Sequence, residues 1–197
     1  INFGNVLGDE NTTASTAANA PTDGLLNLQK NITLNLTKES PGLEKVLVGA
    51  GWDVSSAGSD FDLDLSAFLL HNGKINSGED VIFLNKDNRT GAGDGDDEII
   101  QIELSKLDAD VTEVAFCVVI FDAEPKNQTF GHVKNAYIHL VNQENKQELG
   151  VFQLNTDFST DTAIIFSKLV RNGEGWEYKT IGEGKQADLN GLAAYFS

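Results

Sequence analysis

The stretch FDLDLSAFLL, residues 61–70, alternates apolar and polar side chains through its first half. That period of two marks a half-buried β-strand, with Phe61, Leu63, Leu65 and Ala67 on one face and Asp62, Asp64 and Ser66 on the other. Two aspartates on one strand face lie about 7 Å apart. That is too far for a mutual hydrogen bond, but it suits ligands aimed at one cation or at neighbouring cations.

Outward from this segment the same texture recurs. LLNLQK and ITLNLTK alternate, and KVLVGAGWD, DVIFLN, EIIQIEL, VAFCVVIF, NAYIHLVN, LGVFQL, TAIIFSKLVR and WEYKTIG follow. Most are short, β-branched or aromatic, and bounded by Gly, Asn or Asp, and RNGEG signals a hairpin. VAFCVVIF is apolar on both faces, which predicts a central strand. Only SKLDADV and ADLNGLAAYF look helical. The pattern predicts an all-β domain with a few short helices, an antiparallel sandwich of two sheets. Residues 1–24, rich in Asn, Thr, Ser, Ala and Gly, read as an N-terminal arm or linker, and residues 25–197 as the sandwich domain.

The chain has 197 residues and a formal net charge of −16. Nucleic acid is excluded as a direct partner, because neutralising phosphates needs clustered Lys and Arg. No apolar run reaches the roughly 20 residues that span a bilayer. The single cysteine, Cys117, cannot form an intrachain disulfide and reads as a small buried hydrophobe.

The chemistry concentrates in NKDNRTGAGDGDDEII, residues 85–100. Asp87, Asn88, Asp94, Asp96, Asp97 and Glu98 are spaced by Gly91, Gly93 and Gly95. Carboxylates this close repel one another unless they are solvated or hold a cation. Calcium takes six to eight oxygens at about 2.3–2.6 Å, and glycines let a backbone turn sharply enough for them to converge. Asp62 and Asp64 close such a site from a second segment. Asp53 and Asp122 add candidates where apolar strands meet loops. The spacing is not that of an EF-hand. Zinc is poorly served by the scattered His71, His132 and His139. No nucleophile elbow or phosphate loop is present.

LTKESPGLEKVLVGAGWD, FDLDLSAFLL, DNRTGAGDGDDEIIQIELSKL, VVIFDAE, NQTFGHVKNAYIHLVNQENKQELGVFQL and TAIIFSKLVRNGEGWEYKTIGEG together resemble the TerD-type tellurium-resistance and stress proteins. The resemblance runs from about Leu25 to the C-terminus. It implies a calcium-binding β-sandwich without catalytic activity, working through protein partners such as other, membrane-linked Ter proteins. A cytoplasmic location, with membrane association through those partners, is expected. Carried over, the acidic pattern falls on Asp62, Asp64 and the segment Asp87 to Glu98, Gly93 included, and extends to Asn85 and Asp122. An alternative is calcium-dependent membrane docking. The arm, residues 1–24, lies outside the resemblance and is expected to act in self-association by adding a strand to a sheet edge.

Overall fold

The computed structural model describes residues 26–54, 61–83, 96–154, 158–173 and 175–197. Its strands are β1 (Asn27–Leu28), β2 (Thr33–Asn35), β3 (Lys45–Val54), β4 (Leu63–Leu70), β5 (Val81–Phe83), β6 (Glu98–Glu103), β7 (Glu113–Ile120), β8 (Val133–Asn142), β9 (Glu148–Gln153), β10 (Ala163–Asn172) and β11 (Gly175–Lys185). They form two sheets. Sheet A has five strands in the order β1-β9-β8-β3-β6, and sheet B has six in the order β2-β11-β10-β7-β4-β5. Among the described strands only the β1–β9 pair is parallel.

Alternation explains the layering. Leu63, Leu65 and Ala67 of β4 point between the sheets, where they meet Val46, Val48, Ala50 and Trp52 of β3 and Phe116 and Phe166 of sheet B. β7 lies between β10 and β4 and is buried on both faces, as its unbroken apolar run requires. Its outward residues Ala115, Cys117 and Val119 join Phe68 and Leu70 of β4 under helix α3 (Leu189–Tyr195), through Leu192 and the following Phe196. The C-terminal helical signal is therefore a lid on sheet B. Asp188 caps it, accepting the Gly191 N–H at 2.7 Å.

Three details depart from the sequence reading. LLNLQK contributes only the two-residue strand β1. ITLNLTK is a strand only to Asn35, because the Asn35 side chain accepts the Lys38 N–H at 3.1 Å and starts the short helix α1 (Leu36–Glu39). A further short helix, α2 (Ala123–Lys126), follows β7. The turn expected around SKLDADV is present, opened by a 3-10 turn at Leu104–Lys106.

Candidate functional site

The C-terminal end of β3 and the starts of β6 and β8 lie at one pole of sheet A. The start of β4 and the ends of β7 and β11 lie at one pole of sheet B. These poles coincide: the Phe61 ring, just before β4, stands 6.0 Å from the His132 ring, just before β8. The described carboxylates Asp53, Asp62, Asp96, Asp97, Glu98 and Asp122 all belong to this end.

Asp97 and Glu98 are buried, at 4% and 1% exposure, and each has a structural task. The Asp97 N–H continues the β3–β6 ladder to the Ala50 carbonyl at 2.8 Å. Its Oδ2 then accepts the Trp52 N–H at 3.1 Å, in place of the backbone acceptor that β6 no longer supplies. Glu98 reaches across the sandwich, and its Oε2 accepts the Leu65 N–H of β4 at 2.5 Å. Charge-assisted hydrogen bonds of this kind offset the cost of burying a carboxylate. Together the two residues pin the end of the acidic run to both sheets.

Asp96 lies on the outer face of sheet A. Its carboxyl group rests directly over Gly49, so that a Cβ there would overlap it, and the Tyr137 ring occupies the equivalent space over Gly51. The glycines of the GAG segment thus open two berths on β3, one for a carboxylate and one for a phenol. His139, 6% exposed, sits beside them, opposite Gly49 on β8. Its Nδ1 is 3.5 Å from Asp96 Oδ2 and its Nε2 is 3.7 Å from Glu148 Oε1, ion-pair separations without hydrogen-bond geometry. Burial, and then the negative charges of Asp96, Asp97 and Asp53, push the Tyr137 phenol well above its ordinary range. It stays protonated. Asp53 Oδ2 accepts the Asn135 side-chain N–H at 2.6 Å.

On sheet B, Asp64 lies opposite Val119 on the outward face of β4. The Asp62 carbonyl accepts the Phe121 N–H at 2.7 Å. Asp122 takes a left-handed backbone, φ 53° and ψ 37°, where β7 turns into α2. The fold therefore brings Asp96, Asp97 and Glu98 together with Asp53, while Asp64 faces out from the opposite sheet. Among the described residues, no group of three His, Cys, Asp or Glu side chains is arranged to hold a metal ion. The expected ligands Asn85, Asp87, Asn88, Gly93 and Asp94 lie outside the described residues, as does the arm. Cys117 is fully buried, and burial pushes its thiol far above the ordinary range, which leaves it inert.

Sequence reasoning missed the backbone-capping roles of Asp97 and Glu98 and the Asp96–His139–Glu148 contacts. The Gly49 and Gly51 pair, set within an otherwise apolar strand, was the available signal for a close approach.

A two-sheet sandwich with an acidic run anchored at one pole defines the class. The TerD domain matches residues 25–196, and the chain belongs to the TerD family. It is 40% identical to tellurium resistance protein TerD of Serratia marcescens over 185 residues, 87% of this chain and 96% of the relative. It is 43% identical to general stress protein 16U of Bacillus subtilis (strain 168) over 183 residues, covering 85% and 95%. The solved structure of a TerD homologue from Streptomyces coelicolor A3(2) aligns with a TM-score of 0.58 at 25% identity, covering 77% of this chain and 96% of that one. No helix among the described residues is long and apolar enough to cross a membrane.

Proposed function

We propose that this chain is a non-enzymatic calcium-binding module of the tellurium-resistance and stress-response type, acting through protein partners. The observation that carries the reading is the anchoring of Asp96, Asp97 and Glu98. Fixed to Gly49, Trp52 and Leu65, they give the Gly-spaced run a rigid end, and rigid carboxylates favour a bound cation over a freely solvated turn. The donor set fits calcium in kind: hard carboxylate and amide oxygens, and no accessible thiol. In this reading Asp87, Asn88, Asp94 and Asp96 supply most of the ligands, with Asn85 and the Gly93 backbone beside them. Asp62, just before β4, and Asp122, just after β7, serve from the same pole, and Asp64, on the outer face of sheet B, would serve a neighbouring cation. Bound calcium would relieve repulsion among these groups.

The named relatives support the stress-response role, since they include tellurium resistance and general stress proteins. Membrane-linked Ter proteins are the proposed partners, with self-association through residues 1–24 as a separate activity. Deleting those residues and measuring mass by light scattering tests the latter, because an unchanged oligomeric state defeats it. A second reading, calcium-dependent docking on anionic lipid, gains from Phe121, which is 49% exposed beside Asp122. Co-sedimentation with anionic liposomes in calcium and in chelator separates the two. Calcium-dependent pelleting favours docking, and its absence favours the partner reading.

A further inference from the structure

We infer that the cleft between α2 and α3 is a docking site for a cationic peptide segment of a protein partner, with Tyr195 as its aromatic contact. The inference rests on the partner-binding half of the proposed function; Asp122, which that reading also offers to calcium, lines the cleft, so Glu124 and Tyr195 carry its test. The cleft encloses about 1030 Å³, far more than an ion needs. Ala187 and the Tyr195 ring give it apolar surface above the buried Ile120 and Leu192, Asp122 and Glu124 line it from the α2 side, and Lys185 from β11.

Charge decides the class of guest. The Lys185 ammonium is already held by Glu183 at 2.6 Å, so Asp122 and Glu124 set the sign of the local potential. Among the described residues lining the cleft the cation is Lys185, already paired, so an anionic ligand would meet those carboxylates, and the chain as a whole carries −16. A Lys- or Arg-bearing segment is complementary.

The aromatic residue of the cleft points the same way. Tyr195, which lines it, is 52% exposed. It already carries a lysine on its face, Lys185 at 4.1 Å. A guest arginine can replace Lys185 over Tyr195, since guanidinium stacks on aromatic faces and binds carboxylates in a bidentate fork. Tyr and Arg are both enriched at binding hot spots.

The test is fluorescence anisotropy of the full chain with a short labelled peptide of repeated Arg-Leu-Ser-Lys units, in chelator and in calcium. A version with Glu in place of Arg and Lys serves as the control. The cationic peptide is expected to bind in both conditions. Tyr195→Ala and Glu124→Lys should each weaken it about tenfold, while Glu144→Lys, the same charge change on the β8–β9 turn, should weaken it less than about twofold. Equal losses at Glu124 and Glu144 would mean diffuse attraction to an acidic protein and would overturn the inference, as would no binding by the parent chain. Peptide-induced NMR shifts on the parent chain, concentrated at residues 122–128 and 185–195, provide a readout that does not depend on a variant folding. Shifts spread elsewhere would overturn it too. Loss of peptide binding with calcium binding intact defeats the cleft alone. The reverse defeats the calcium reading alone.

Discussion

The Asp97 carboxylate accepts the main-chain N–H of Trp52 at 3.1 Å, so a residue that looks like a metal ligand in the sequence also ends a β-ladder. Replacing it with Ala leaves a buried N–H without its acceptor, which costs about 1–3 kcal/mol. Urea unfolding of Asp97→Ala in chelator should show that loss, and Asp97→Asn, which keeps an acceptor oxygen, should lose less. Full stability of the Ala variant in chelator would contradict the capping role.

Gly49 tests the berth for Asp96. An added Cβ overlaps the Asp96 carboxyl, so Gly49→Ala must push that group off the face of β3. Overpacking of this kind costs about 1–3 kcal/mol. If Asp96 is a ligand, calcium affinity should fall as well. The control is Gly78→Ala, where an added Cβ meets nothing within 4 Å. Urea unfolding and calcium titration should leave the control near the parent chain, and a Gly49 variant that behaves like it would refute the contact.

The sheet pattern was legible because sandwich burial writes itself as alternation. FDLDLSAFLL identified both faces of β4, and VAFCVVIF identified a strand covered on each side. Which sheet each face belongs to was not legible. Alternation put Asp64 outward, yet nothing local says that Asp96 emerges on the opposite sheet, since that depends on β6 pairing with β3 far along the chain. Helix α1 escaped because LNLTK keeps the alternation of a strand, and only the Asn35 side-chain bond ends it. The turn joining His71 to Lys74 was not read from the sequence, although Asn72-Gly73 is a hairpin dipeptide and both residues take positive φ, 57° and 87°.

The opposite pole carries the pH dependence. His71 lies 3.3 Å from Asp80 and 3.1 Å from Asp110. Burial lowers its pKa, but the Asp80 hydrogen bond and the charges of Asp110 and Asp80 outweigh that and raise it above 6.5. Protonated His71 is therefore favoured in the folded state. Its contribution is fully present below pH 6.5 and is lost as pH rises through the raised folded value. Asp80 runs the other way. Burial raises its pKa, but hydrogen bonds from the Ser77 and Asn76 N–H groups, and then His71, hold it below 3.8. That contribution is present above pH 3.8 and is lost as pH falls through the lowered value. Denaturation across pH 5 to 9 should show stability declining through the His71 titration, and His71→Gln should flatten that decline. An unchanged profile would contradict the assignment.

Calcium binding by the Gly-spaced carboxylates is the central claim, and calorimetric titration of metal-stripped protein tests it most directly. The account predicts a binding isotherm for the parent chain, with stabilisation of about 2.7 kcal/mol at a hundredfold excess over Kd. Asp94→Asn and Asp96→Asn should weaken binding strongly, and Asp108→Asn, an exposed residue in the turn after β6, should leave it near the parent value. No calcium heat from the parent chain, or equal effects from all three substitutions, would contradict the account.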